Sequence, residues 1–170
     1  MLKFKSKIII LFFISFFAHQ SYAEEKIAYI DLDKLFKESN YGKQITQTLN
    51  ELNDKNIENL KKKESILKKK EDEINSKKNI ISADEYNNEV KNFKIEINKF
   101  RKEKKQLVDN FQKIKNDEIK SFFLKINPLL ETFMNENSVE ILLDKKFVLV
   151  GKSKLDITDK FIKKINENIE

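Results

Sequence analysis

The chain has 170 residues, of which 36% are charged, and it contains two glycines, one proline and no cysteine. A β-sandwich or a doubly wound sheet needs many turns, and this chain has too few turn-forming residues to supply them. Long helices are therefore expected. The absence of cysteine excludes disulfides and thiol chemistry. The formal net charge is +6, and three of the lysines lie in residues 1–23.

Residues 1–23 have the pattern of a secretory signal peptide. Three lysines precede an apolar run from Ile8 to Ala18, and the small residues expected of a cleavage site end at Ala23. An uncleaved membrane anchor is the alternative, but the run is shorter than the about 20 residues that span a bilayer. We therefore expect cleavage after Ala23 and a mature protein that starts at Glu24 in the periplasm.

Residues 24–42 are predicted to begin a small folded body. The segment from Lys26 to Asp31 indicates a short strand, because β-favouring residues follow the cleavage site directly. The segment from Asp33 to Ser39 predicts a short helix with one apolar face. Gly42 is expected to mark the break before the next helix.

Residues 43–125 are predicted to form a helical hairpin whose tip lies near residues 77–82. Ser82 is followed three residues later by Glu85, a capping-box pattern that starts a second helix after the turn. Two long helices joined by a short turn form most simply an antiparallel hairpin. An arm of about 35 residues would extend about 50 Å at 1.5 Å per residue.

Both helices of this hairpin carry an apolar stripe with coiled-coil spacing. In the second helix, large apolar residues recur at steps of three, four and seven from Tyr86 to Ile114. In the first helix Leu60, Leu67 and Ile74 are one heptad apart, but Asn, Lys and Glu occupy many neighbouring positions. The two stripes therefore predict a coiled coil whose seam between the helices excludes water only in part.

Residues 126–170 are predicted to return to the body. Pro128 lies inside the helical pattern and should kink the helix or restart it. Asp156 or Thr158 can cap a last amphipathic helix. The predicted elements are strands at 139–143 and 147–150 and a helix at 158–169.

The predicted fold class is α+β and mainly α. A small β body is built from both ends of the mature chain, and a long antiparallel coiled-coil hairpin is inserted between them. Three short strands make a marginal body alone, so several copies are expected to share one core.

The side chains available for catalysis argue against an enzyme. His19 is the only histidine, so the mature chain would have neither His nor Cys, which excludes nucleophilic triads and the usual zinc ligands. Two glycines cannot form a glycine-rich phosphate loop. The carboxylates of Glu71, Asp72 and Glu73 lie among lysines and indicate a solvated helix face. We predict no catalytic residue, no cofactor and no metal.

Positive charge is concentrated in the hairpin. Residues 55–105 contain 16 basic and 10 acidic residues, whereas residues 24–54 contain 4 basic and 7 acidic ones. Either the lysines only keep an exposed helix soluble, or they attract an acidic partner. Nucleic acid is not expected, because Glu interrupts the Lys runs. The candidate basic residues are Lys61, Lys62, Lys63, Lys68, Lys69, Lys70, Arg101 and Lys102.

Three isoleucines fall off the apolar stripe: Ile66, Ile80 and Ile95. Singly exposed apolar residues are common and need no function. On a long arm they can instead offer weak, sequence-tolerant contacts to unfolded polypeptide.

The layout resembles the periplasmic chaperone family called Skp or OmpH-like. The resemblance rests on the signal peptide, the Lys26–Asp31 start, the charged hairpin, the predicted strand pair and, most specifically, the segment from Leu155 to Asn166, where Asp-Ile-Thr precedes an amphipathic helix. It covers residues 24–170. It implies a homotrimer with tentacle-like arms around a cavity, and an ATP-independent holdase that keeps unfolded outer-membrane β-barrel proteins soluble until delivery.

The family is also associated with lipopolysaccharide, for which no individual residue here matches a motif. Two other functions stay open. A structural coiled-coil scaffold or spacer of the cell envelope would need rigid arms and a folded partner. A basic binder of polyanions, such as lipopolysaccharide or an anionic membrane surface, would bind with strong salt dependence.

Overall fold

The computed structural model describes residues 26–169. The predicted signal peptide and its cleavage site lie outside this range. The described elements are strand β1 (Lys26–Ile30), helices α1 (Leu32–Glu38), α2 (Asn40–Lys77) and α3 (Ala83–Glu136), strand β2 (Val139–Asp144) and helix α4 (Thr158–Asn168), with short 3-10 turns at Lys145–Phe147 and Ser153–Leu155. The chain is thus α+β and mainly helical, as predicted.

The two strands come from opposite ends of the described chain and pair in parallel. Ile27 lies opposite Ile141, and Tyr29 lies opposite Leu143. Parallel strands need a long crossover connection, and here that connection comprises α1 and the whole α2–α3 hairpin. The hairpin is therefore an insertion between two strands of one small sheet.

Ser39, and not Gly42, separates α1 from α2. The Ser39 side chain accepts a hydrogen bond from the Gly42 N–H at 3.2 Å, so it acts as the N-cap of α2. Gly42 lies in the first turn, where an added Cβ would be 1.8 Å from the backbone oxygen of Phe36. The glycine is needed for this close approach of α1, and its prediction as a helix break was wrong.

The hairpin turn lies where the capping box placed it. Helix α2 ends at Lys77, and the Ser82 side chain accepts from the Glu85 N–H at 3.3 Å at the start of α3. Helix α3 then continues through Pro128 without restarting. Ile126 is buried in the core, and Leu129 and Leu130 pack against it. This packing on both sides offsets the cost of about 3 kcal/mol for proline inside a helix.

The predicted strand at 147–150 is absent, and that prediction was wrong. Strand β2 ends at Asp144, whose side chain accepts from the Lys146 N–H at 3.1 Å and starts a 3-10 turn. Strand β1 already has β2 on one edge and a bridge to Asp156 on the other. Segment 147–150 follows the turn without pairing to the free outer edge of β2 within the described residues.

One compact core joins the base of the hairpin to the sheet and to α4. Phe122 is fully buried, with the rings of Phe36 and Tyr41 at 5.1 and 5.7 Å. Phe161 of α4 is also fully buried and packs edge-on against Phe133 at 5.5 Å. Aromatic side chains of this size contribute a large share of core stability, so the folded body has its centre here.

The Asp-Ile-Thr segment fastens the two chain ends together. The Asp156 carboxylate accepts from the Thr158 N–H at 3.0 Å, and the Thr158 hydroxyl accepts from the Asp31 N–H at 3.0 Å. The Ile157 N–H donates to the Tyr29 carbonyl at 3.0 Å. The N-cap of α4 is Ile157, without a side-chain cap hydrogen bond, so the prediction of Asp156 or Thr158 as the cap was wrong. The segment instead holds β1 beside that helix.

Candidate functional site

The hairpin beyond the body forms an arm whose seam is only partly buried. Ile45 and Leu49 are buried next to the body, and Ile74 is buried near the tip. Between these ends the stripe residues Leu67 and Phe100 remain half-buried. The arm therefore keeps apolar surface within reach of solvent along its length.

Three ion pairs join α2 to α3 at intervals of one heptad. Lys63 pairs with Glu103 at 2.6 Å, Lys70 with Glu96 at 2.5 Å, and Lys77 with Glu89 at 2.9 Å. The lysine numbers rise by seven while the glutamate numbers fall by seven, as an antiparallel hairpin requires. We call this side of the arm the ladder flank.

Ion pairing in the ladder shifts pKa values in the direction that keeps its groups charged. The hydrogen bond to Glu89 and the attraction of that carboxylate raise the pKa of the Lys77 ammonium. The hydrogen bond from Lys63 lowers the pKa of the Glu103 carboxyl. Both shifts move the pKa values of these two groups further from neutral pH.

The other side of the arm, which we call the opposite flank, has a different charge arrangement. A fourth cross-helix ion pair, between Lys104 of α3 and Glu64 of α2 at 3.4 Å, has the reversed polarity. Lys94 and Arg101 lie on the same side of α3, and neither is in an ion pair within residues 26–169. Lys99, which lines a cavity on the ladder flank, also has no ion pair within residues 26–169, so unpaired positive charge lies on both flanks.

Some of the eight candidate basic residues are in ion pairs and others are not. Lys63 and Lys70 belong to the ladder, and Lys62 pairs with Glu58 of its own helix at 2.6 Å. The residues without an ion pair in the described part of the chain are Lys61, Lys68, Lys69, Arg101 and Lys102. The sequence grouped these eight residues together, and only the helix register separates the paired from the unpaired ones.

The three candidate isoleucines are all exposed, but they do not form one surface. Ile66 is 64% exposed and lines a shallow cavity between the helices. Ile80 is exposed in the turn at the tip, and Ile95 is exposed on α3 without lining that cavity. Of the three, Ile66 lines this cavity.

The arm carries cavities on both flanks. A cavity of about 470 Å³ near the tip has a floor that includes Ile74 and Phe93 and a rim that includes Glu71, Lys94 and Arg101. On the ladder flank, cavities of about 180 Å³ and about 400 Å³ both include Lys63 and Glu103 in their walls. All are open clefts between two helices, which suits transient contact with a chain passing along the arm.

Sequence reasoning missed an exposed apolar surface on the body. Ile27, Ile141 and Leu143 are exposed on the sheet, and Phe147, Leu149 and Val150 are exposed in the segment that follows it. Leu149 is 98% exposed. Several large apolar side chains exposed on one small body are typical of an interaction site. The apolar run at 147–150 was the signal in the sequence, where it instead predicts a strand.

The described residues offer no arrangement for metal or membrane-spanning roles. Between Lys26 and Ile169 no group of His, Cys, Asp or Glu side chains is placed to hold a metal ion. Over the same range, no helix combines the length and the apolarity needed to cross a membrane.

Comparison with known proteins finds a matching family and a solved structure of similar fold. The family model described as outer membrane protein (OmpH-like) matches residues 26–165. A crystal structure from Caulobacter crescentus CB15, assigned as an outer membrane chaperone (OmpH-like), has a TM-score of 0.81 and 15% sequence identity, and the match covers 86% of this chain and 87% of that one. At this identity the likeness establishes the fold. No curated protein matches the chain significantly.

Proposed function

This chain belongs to the OmpH-like family, and we propose that it is an ATP-independent holdase chaperone of the periplasm. It binds unfolded outer-membrane β-barrel proteins and keeps them soluble for delivery to the outer membrane. The observation that carries the proposal is the shape of the arm: two helices of 38 and 54 residues present half-exposed apolar clefts among charged residues. No covalent step and no cofactor are involved.

The arm suits weak, sequence-tolerant binding. An unfolded barrel protein offers many apolar segments, and many shallow contacts can hold it without selecting one sequence. The lysines left unpaired on the arm add long-range attraction for acidic segments. The predicted signal peptide supports the periplasm as the place where these clients are met.

The body is proposed to assemble three copies. Leu149 and its neighbours form an apolar surface that a single described chain leaves open to water, and β2 has no strand on its outer edge within that chain. The exposed apolar side chains of segment 147–150 would be buried once another copy packs against them. Three bodies joined this way would direct three arms around a shared cavity.

Assembly is tested by Leu149→Asp, with Ile80→Asp at the tip as the matched control. Both side chains are exposed in the single chain, so neither change should unfold it. We expect Leu149→Asp to give monomers in sedimentation velocity, since a charge at the interface is costly to bury. The Ile80→Asp variant should remain trimeric. Trimers of Leu149→Asp would contradict the proposed interface.

A second candidate function is binding of a polyanion such as lipopolysaccharide. The observation that favours it is the cavity near the tip, where Lys94 and Arg101 line the rim above an apolar floor. An amphiphilic anion fits that combination of charge and apolar surface. Binding of this kind would weaken steeply as salt is added.

Holdase activity is tested by diluting a urea-denatured outer-membrane barrel protein into buffer with and without the chain from Glu24 onward. We expect turbidity to be suppressed at a stoichiometric ratio without ATP. An envelope scaffold would leave the client to aggregate. A polyanion binder would also leave it to aggregate, but would bind lipopolysaccharide in a parallel titration.

A further inference from the structure

One face of the two-stranded sheet is not covered by the core of the body. Side chains alternate between the two faces of a strand, and residues paired across the sheet share a face. The face that packs on the core contains Ala28, Ile30 and Leu142. The remaining face, which we call the outer face, contains four residues: Ile27, Tyr29, Ile141 and Leu143.

The segment that follows β2 lies beside this outer face. The Tyr29 hydroxyl donates to the Lys152 carbonyl at 3.2 Å, and a Cβ added to Gly151 would lie 2.7 Å from the Tyr29 ring. The exposed side chains just before Gly151 therefore adjoin the exposed side chains of the sheet. Together they form what we call the outer apolar surface: Ile27, Ile141, Leu143, Phe147, Leu149 and Val150.

The predicted signal peptide is joined to the chain at the border of this surface. Strand β1 begins at Lys26, and the next residue, Ile27, belongs to the outer apolar surface. Only residues 19–25 separate Lys26 from the apolar run Ile8–Ala18. Seven residues reach up to about 23 Å when extended, whereas a five-residue strand is about 17 Å long. The apolar run can therefore reach all of the outer face in its own chain.

We propose that the predicted signal peptide, while it remains attached, covers the outer apolar surface of its own chain and so keeps the chain from assembling. The occupant is the apolar run Ile8–Ala18. This inference rests on the proposed assembly through segment 147–150 and adds a means of regulating it. Removal of residues 1–23 would uncover the surface and allow copies to associate.

The tethered run competes well with a second copy of the chain. Both occupants bury apolar surface, which is favourable in either case. A segment tethered through a short connection has an effective concentration of about 1 mM, roughly a hundredfold above a free chain at about 10 μM. The run in the same chain therefore has the advantage until cleavage removes it.

The first measurement compares assembly of residues 1–170 with assembly of residues 24–170. Cell-free synthesis without membranes retains the signal peptide, and sedimentation velocity over a concentration series gives the midpoint of assembly. We expect the midpoint of the longer chain to be at least about tenfold higher. Phe12→Asp in the longer chain should lower it again, because a charge in the apolar run is costly to bury. Gln20→Asp, the matched control, adds the same charge outside the run and should leave the midpoint high.

The second measurement reports on the surface itself. The chain contains no tryptophan, so Leu149→Trp places a single fluorophore on the outer apolar surface, at a position that is exposed in the single chain. Below the midpoint of assembly, its emission should be blue-shifted and protected from acrylamide in residues 1–170 but not in residues 24–170. Circular dichroism should show the same helical structure over residues 24–170 in both chains.

Equal midpoints or equal acrylamide quenching in the two chains would overturn the proposal. Particles of the longer chain larger than three copies would also overturn it, because the apolar run would then be left open to other chains. A loss of helical structure in the longer chain would show that the signal peptide prevents folding and not assembly. Residues 24–170 that stay monomeric at every concentration would instead reject the proposed assembly, and the quenching of tryptophan would still decide whether the run covers the surface.

Discussion

The body and the arm are built from the same few residue types but are held together differently. In the body, fully buried Phe122, Leu35 and Phe161 come from three separate helices and share one core. In the arm, a single half-exposed seam is supplemented by ion pairs at the surface. Burial of this kind contributes several kcal/mol per large side chain, whereas exposed ion pairs contribute little. The free energy of folding therefore comes mainly from the body, and much of the arm remains exposed to solvent.

The largest effect is expected from the centre of the body. Phe161→Ala removes a fully buried ring that packs against Phe133, and it should reduce the free energy of unfolding by about 3–5 kcal/mol. Ile80→Ala at the exposed tip should change it by less than about 0.5 kcal/mol. Urea unfolding followed by circular dichroism gives both values. Similar losses in the two variants would contradict a body-centred stability.

A smaller and local effect is expected in the arm. Ile74 is buried in the seam near the tip, and Ile74→Ala should cost about 2 kcal/mol, at the low end for such a change. Hydrogen exchange should speed up for amides near the tip, while those of α4 keep their protection. Equal acceleration in α4 would show that arm and body unfold as one unit.

The free energy of unfolding of the body should depend on pH in the acid range, because Asp156 of the Asp-Ile-Thr segment is hydrogen-bonded there. Burial alone would raise the pKa of Asp156, but hydrogen bonds from Lys145 and Thr158 outweigh burial and hold that pKa below its usual value. A carboxyl with a lowered folded pKa stabilises the protein above its unfolded pKa of about 4 and loses that contribution as pH falls further.

Asp156→Asn should therefore destabilise the protein by about 1–2 kcal/mol at neutral pH, because charge-assisted hydrogen bonds are lost. The difference from wild type should shrink as pH falls below about 4. Thermal unfolding of both chains over a pH series measures it. A difference that stays constant to the lowest pH would contradict the depressed pKa.

The smallest effect is expected from the ladder. Lys70→Glu places two carboxylates together at the position where Lys70 now meets Glu96, and the cost should be below about 1 kcal/mol. The double variant Lys70→Glu with Glu96→Lys should recover wild-type stability at low salt. At high salt all three chains should converge. Failure of the double variant to recover would show that this pair does not face across the hairpin.

Local signals in the sequence predicted the hairpin well. The capping box from Ser82 to Glu85 spans only four neighbouring residues, and the stripe from Tyr86 to Ile114 follows from helical spacing. Features that depend on contacts across the fold were not predictable. Helix α3 continues through Pro128 because residues on both sides of the proline pack in the core. The role of Gly42 depends on the nearby backbone of Phe36.

The candidate site was predictable in part. Ile66, Ile80 and Ile95 were all correctly placed off the seam, but the cavity beside Ile66 depends on which α3 residues face Lys63. The heptad spacing of the ladder was present in the sequence, yet pairing required the register of two helices. The prediction of a strand at 147–150 was wrong because a 3-10 turn at Lys145–Phe147 replaces the expected connection between two strands, and the apolar composition of the segment does not reveal that turn.

The most direct test of the central claim, that the body assembles copies and the arms hold a client, is the light-scattering mass of residues 24–170. It should be measured alone and after addition of a urea-diluted outer-membrane barrel protein. We predict the mass of three copies alone, and a soluble complex heavier by one client after addition. A monomer or dimer that lets the barrel protein precipitate would contradict the account and favour an envelope scaffold.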